Sequence, residues 1–191
     1  MLLFPTTGGL YALNADTGKL LWTAKTPPYL PPPAYGGYVS APVVQAGLAV
    51  AGCFDQHLCQ AGIYAVNAST GTLQWAVPTR GGVAARIAAV PAAAGIDGLA
   101  TFYVGDRMSE KDGVIVRASF YAVDETGRVR WTQHQRDIGD FEGDGAIVAL
   151  GKVFAGNGDS MVNAYDAKSG AGLWSYRTES GVLGAGTVIN M

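Results

Sequence analysis

The sequence predicts an all-β chain of four repeated sheets, and three observations carry that prediction. One short unit recurs four times: LYALNADTGKLLW (10–22), IYAVNASTGTLQW (63–75), FYAVDETGRVRW (120–131) and VNAYDAKSGAGLW (162–174). All four tryptophans of the 191-residue chain, Trp22, Trp75, Trp131 and Trp174, close those units. Glycine supplies 27 residues, about twice its usual share of ~7%, as many tight turns require. No segment sustains a helical period over a helical length.

Each element follows from the pattern inside a unit. Leu10–Leu13 alternates as a strand, Asn14–Gly18 gathers turn formers, and Leu20–Trp22 opens a second strand. Gly18, Gly71, Gly127 and Gly170 are placed to supply the positive φ of that turn. The small residues Ala12, Ala65, Ala122 and Ala164 leave room for a tryptophan ring against the backbone. Upstream, the apolar runs 39–45 and 48–51, 84–90 and 100–104, and 146–149 and 152–155 add two strands per unit. Four antiparallel strands, a to d, per period of about 40–55 residues describe a β-propeller blade. The expected blades are 38–79, 83–135, 143–178 and one built from both termini, 1–25 plus 182–191. That last blade predicts pairing of Thr187–Met191 with Leu2–Pro5, within a chain or between two, which hides two sheet edges. Residues 1–191 then form one propeller domain: a closed four-bladed ring, half of a ring shared by two chains, or part of a seven- or eight-bladed propeller.

Composition narrows the functions. Lys+Arg 13 against Asp+Glu 15 gives a net charge of −2, too little positive field to hold nucleic acid or an anionic membrane. The most apolar long stretch, Val83–Val104, is interrupted by Arg86, Pro91 and Asp97, so no membrane span is expected. The opening residues, MLLFPTTGG, lack the basic region of a signal peptide. Cys53 and Cys59, the two cysteines, flank the expected b–c connection of the second blade. Cross-strand neighbours at such a mouth lie near disulfide range, which predicts a bridge and an extracytoplasmic location, periplasmic or extracellular. His57 and His134 read as loop residues, GDRMSEKDG (105–113) as a solvated hairpin, and Pro27, Pro28 and Pro31–Pro33 as a stiff spacer between blades. The d–a and b–c connections concentrate the polarity. There Asp140, Glu142 and Asp144 alternate so that three carboxylates can face one way toward a hard cation such as Ca²⁺.

The unit A-x-[ND]-x-x-[TS]-G-x-x-x-W resembles the tryptophan-docking motif of the PQQ-like propeller repeat. It is carried by Ala12, Asn14, Thr17, Gly18 and Trp22; by Ala65, Asn67, Thr70, Gly71 and Trp75; and by Ala164, Asp166, Ser169, Gly170 and Trp174. Ala122, Asp124, Gly127 and Trp131 match with one residue deleted. That repeat builds quinoprotein alcohol dehydrogenases and a non-enzymatic outer-membrane assembly lipoprotein, so the resemblance specifies fold more than activity. It implies a binding or scaffold module that presents its loop face to a protein or small ligand. The alternative it implies is part of a periplasmic dehydrogenase using PQQ and Ca²⁺, with Asp144 as the candidate catalytic base. Residues 131–144 are similar to the dehydrogenase segment W-x-x-Q-x-x-P-x-D-x-W-D-x-D, but lack its proline, carry Phe141 for its tryptophan, and displace the first aspartate by one. The vicinal cysteine pair of many of these enzymes is also missing, and every tryptophan is committed to a docking unit. The scaffold reading is therefore preferred.

Overall fold

A computed structural model describes residues 1–6, 9–25, 40–54, 62–111, 113–135, 140–141, 145–182, 184 and 186–189. Blade one holds β1 (Leu2–Thr6), β2 (Gly9–Leu13) and β3 (Leu20–Ala24). Blade two holds β4 (Val43–Gln45), β5 (Leu48–Gly52), β6 (Ile63–Asn67) and β7 (Leu73–Val77). Blade three begins with β8 (Ala88–Val90) and β9 (Thr101–Gly105). A side hairpin of β10 (Ser109–Lys111) and β11 (Val114–Val116) follows, and β12 (Ser119–Asp124) and β13 (Val129–His134) complete the blade. Blade four holds β14 (Ala146–Ala149), β15 (Lys152–Asn157), β16 (Met161–Asp166) and β17 (Gly172–Arg177). Every strand pairs antiparallel with its sequence neighbour in the blade, the β10–β11 hairpin forming its own two-stranded sheet. The fold is all-β and built of propeller blades. No helix among the described residues is long and apolar enough to cross a membrane.

Local chemistry explains the repeated c–d turn. Asn14 Oδ1 accepts the backbone N–H of Asp16 and Thr17, each at 2.9 Å. Asn67, Asp124 and Asp166 use the same oxygen to hold their own turns. The side chain thus nucleates the turn that the backbone then closes. Gly18, Gly71, Gly127 and Gly170 have φ of 67°, 73°, 86° and 73°, a conformation an L side chain rarely adopts. The shortened third turn keeps its glycine but closes more tightly, Gly127 N donating to Asp124 O three residues back where the other three turns span four.

The core lies between blades rather than inside them. Leu10, Ala12 and Trp22 of blade one pack on Ala49, Tyr64 and Val66 of blade two. Val50, Ile63 and Val77 meet Phe102, Val104 and Tyr121 of blade three. Phe120, Ala122 and Trp131 meet Val153, Ala155 and Tyr165 of blade four. Each sheet therefore buries both faces when it has a neighbour on each side, and its strands read as continuous apolar runs. The innermost strands β4 and β14 both touch β8, which sets the a strands along the axis side.

Trp22, Trp75 and Trp131 each dock on the blade that follows. A Cβ placed on Gly71 would stand 2.6 Å from the Trp22 ring, on Gly127 2.7 Å from Trp75, and on Gly170 2.6 Å from Trp131. The indole N–H groups donate to Ala68 O at 3.2 Å, Glu125 O at 2.9 Å and Ala167 O at 3.1 Å. Trp174 departs from the expectation that all four are docked, being 48% exposed. The seat for such a ring on blade one is open among the described residues, none of which lies within 4 Å of a Cβ at Gly18. Among the described residues, the first and last blades do not close on each other; the four blades form an arc. The expected within-chain pairing is not made over Thr187–Ile189, which lie outside any strand, and β1 pairs only with β2. Asn190 and Met191 lie outside the described residues.

Candidate functional site

The b–c and d–a connections meet on one face because the chain leaving each outer strand folds back across its own blade. Val83 N donates to Cys53 O, Phe141 N to Asp106 O and Val182 N to Asn157 O, at 2.7, 3.3 and 3.0 Å. Each crossing passes over a glycine at the end of strand b. A Cβ on Gly52, Gly105 or Gly156 would fall 2.3, 2.2 or 2.3 Å from Val83, Phe141 or Val182. Cys53, Asp106 and Asn157 therefore occupy one equivalent position in three blades.

Asp106 is the best-determined group of this face. The sequence places it in a solvated hairpin, yet it is fully buried. The later part of that stretch fits the expectation, with Met108 and Glu110 exposed. Oδ2 of Asp106 accepts Arg80 N at 2.9 Å, Gly81 N at 3.0 Å and the Tyr121 hydroxyl at 2.8 Å, while Oδ1 accepts Ser119 N. Burial pushes its carboxyl up to about 6, against the pull of those four donors toward the charged form. The same burial, with the Asp106 charge beside it, pushes the Tyr121 phenol above its ordinary range. The carboxylate ties blade two's exit to blade three and faces no solvent.

Asp140, a predicted metal ligand, is also spent internally. Its Oδ2 accepts Arg107 Nε at 3.2 Å and its Oδ1 accepts Met108 N. Its backbone joins the rim, with Gly158 N donating to Asp140 O at 3.0 Å. Glu142 and Asp144 lie outside the described residues, as do Asp137, His57, Cys59 and the prolines of 27–33; Cys53 itself is buried. Among the described residues no three His, Cys, Asp or Glu side chains converge. His134 packs at the blade edge with Nδ1 2.9 Å from Ser119 Oγ.

PQQ and Ca²⁺ do not fit the described residues. Asp106 and Asp140 are held by donors of the chain itself. Trp22, Trp75 and Trp131 are tied by their N–H groups to the next blade, and Trp174 lies on the outer face of blade four, so none forms a cofactor floor.

What the face does present is apolar and cationic. Phe54 and Met108 are each 41% exposed, and the Arg107 guanidinium lies 4.8 Å from the Phe54 ring centre. Arg80 is exposed beside them, its backbone held by Asp106 and Ser109. Sequence reading singled out neither Phe54 nor Met108, because a lone apolar residue in a loop carries no pattern.

A cavity of about 460 Å³ opens between blades three and four beside Gln133, Gln135, Asn163 and Ser175. Tyr11, Tyr64 and Tyr121 stand where Asn163 stands in blade four, so the smaller side chain leaves the space. Asn163 accepts from Ser175 Oγ at 2.8 Å, but its buried amide nitrogen has no partner among the described residues.

Comparisons with known proteins agree with this architecture. Among curated proteins none matches the sequence. BamB from Moraxella catarrhalis superposes with a TM-score of 0.65 at 18% identity, over 92% of this chain and 45% of that one. A europium-containing methanol dehydrogenase gives 0.63 at 18% identity, over 92% and 41%. BBS1N, solved in complex with ARL6DN, gives 0.61 at 17% identity, over 93% and 51%. The chain thus spans about half the length of the structures it resembles, and at these identities the likeness shows the fold. A family model described as outer membrane protein assembly factor BamB matches residues 2–119 and 116–190. The chain belongs to that PQQ-like repeat family.

Proposed function

We propose that this chain is a propeller binding module that receives a protein partner on its loop face, outside the cytoplasm, with Cys53 and Cys59 bridged across the second blade's b–c connection. One observation carries the reading. Two carboxylates of that face, Asp106 and Asp140, serve the scaffold, while Phe54, Arg107, Met108 and Arg80 face outward together. Aromatic, methionine and arginine side chains are the ones enriched in protein interfaces. The band of backbone bonds from residue 53 through 82, 107 and 141 to 158 keeps that surface in one shape, so little ordering entropy is lost on docking. The family's description as an assembly factor and the BBS1N complex support a protein as the ligand. The methanol dehydrogenase likeness favours the enzyme alternative, which the misfit of Asp140 and the tryptophans opposes.

A photo-crosslinking residue at Met108 tests the proposal in the native host. It is expected to yield a discrete protein adduct that a crosslinker at Thr72, in the opposite c–d turn, does not. Arg107→Glu is expected to abolish the adduct. Adducts equal at both positions, or none from Met108, would reject the loop face as the docking surface.

A further inference from the structure

The interface between blades three and four departs at one place from the two interfaces before it. Between blades one and two that place is filled by Ala24 and Tyr64, and between blades two and three by Val77 and Tyr121, all buried in their cores. In the third interface Gln133 stands where Ala24 and Val77 stand, two residues after the docked tryptophan, and Asn163 stands where the tyrosines stand. The hydroxyl that Tyr121 donates to Asp106 therefore has no counterpart in blade four. Asn157, at the position of Asp106, donates instead to Gln135 Oε1 at 3.0 Å. The space left is the cavity of about 460 Å³, within the ~300–1,000 Å³ of small-molecule sites. Both walls are described strands, β13 on one side and β16 with β17 on the other, so no further blade is needed to form it.

We propose that this cavity is a binding site for a neutral saccharide ring, held between blades three and four. The lining selects that class. Asn163 is only 9% exposed; its Oδ1 is taken by Ser175 Oγ, while its amide nitrogen is buried without a partner among the described residues. A buried N–H group left unsatisfied is costly, and a ligand hydroxyl in the cavity satisfies it. Acceptors line the same space. Gln133, whose amide nitrogen is committed to Gly170 O at 2.8 Å, keeps its carbonyl oxygen, and Ser175 Oγ keeps its lone pairs. Sugar hydroxyls both donate and accept, so one molecule answers all three groups. No described lining residue is Asp, Glu, Lys or Arg, so a charged ligand would give up its hydration with no counter-charge in return. Met161 and Tyr165 supply apolar surface for the carbon face of the ring. The Tyr165 ring is fixed 5.9 Å from Phe120 at 16° and 6.2 Å from Trp131, which keeps the pocket preformed. This inference does not rest on the reading of the loop face.

Saturation-transfer difference NMR of the 191-residue chain with D-glucose, D-galactose and D-mannose tests it. At least one of these sugars is expected to bind saturably, and its uronate, which adds a charge to the same ring, to bind roughly tenfold more weakly or worse. Asn163→Tyr restores the side chain of the other blades and fills the space. It is expected to abolish binding, with an unchanged far-ultraviolet circular dichroism spectrum and a melting temperature no lower than that of the wild type. Asn163→Ala removes the amide without filling the space, and is expected to weaken binding about tenfold, the worth of one hydrogen bond. Saturation by none of the three sugars would overturn the proposal and leave water as the occupant. Binding that either substitution leaves undiminished would overturn it as well, as would a uronate that binds as tightly as its parent sugar.

Discussion

Trp131→Ala is expected to destabilise the chain by about 3–5 kcal/mol, the cost of removing a buried aromatic side chain. Its ring is 9% exposed and lies 5.8, 6.1 and 6.2 Å from the rings of Tyr103, Phe120 and Tyr165. Its N–H donates to Ala167 O of blade four, so the substitution opens a cavity and leaves that carbonyl with the Tyr103 hydroxyl alone of its two side-chain donors. In a chain of this size the melting temperature should fall by roughly 10 °C. Gly170→Ala attacks the same contact from the other side. It adds a Cβ 2.6 Å from the ring on top of the strain of a left-handed alanine, about 1–2 kcal/mol. Gly151→Ala, at similar φ in open space, isolates the strain alone. Gly170→Ala should therefore exceed Gly151→Ala by about 1–3 kcal/mol of overpacking. Equal losses for the two glycines, or a Trp131→Ala loss under about 1 kcal/mol, would dissolve the docking account.

Asp106→Ala is expected to cost about 3 kcal/mol or more, because it leaves three backbone N–H groups and the Tyr121 hydroxyl buried without their acceptor. The wild-type group also makes a signed pH dependence. Its carboxyl is raised in the fold from 3.8 to about 6, so the folded state holds the proton more tightly than the unfolded chain. Its contribution is fully present below about pH 4 and is lost as the pH rises through 6, on the order of 3 kcal/mol in all. Asp106→Asn keeps the shape without the titration. The stability difference between wild type and Asp106→Asn should therefore shrink from pH 4 to pH 7, measured by urea unfolding at each pH. A difference that grows over that range would mean that the four donors outweigh burial.

Strands and turns were legible because their signals are local. Alternation in Leu10–Leu13 and the side-chain oxygens of Asn14, Asn67, Asp124 and Asp166 act within a few residues. The tryptophans were legible as a set, yet their partners were not. The alanines at 12, 65, 122 and 164 were read as leaving room for a tryptophan ring, whereas the ring of Trp22 lies against the turn glycine Gly71 of the next blade. For the same reason Trp174 looked identical to the other three, although what distinguishes it is the blade that would follow. Asp106 was misread because a charged stretch suggests solvent. Its burial depends on donors from residues 80, 81, 119 and 121, which only the blade geometry gathers. The recurrence of glycine before Cys53, Asp106 and Asn157 was the available sign that this position is enclosed.

The most direct measurement of the central claim, that Asp106 and Asp140 serve the scaffold and leave the loop face for docking, is a titration of the chain with PQQ in the presence of Ca²⁺. It is followed by absorbance and by dye reduction with simple alcohols. The account predicts no saturable binding and no dye reduction, for wild type and Asp140→Ala alike. Saturable, Ca²⁺-dependent binding of PQQ that Asp140→Ala abolishes would contradict it.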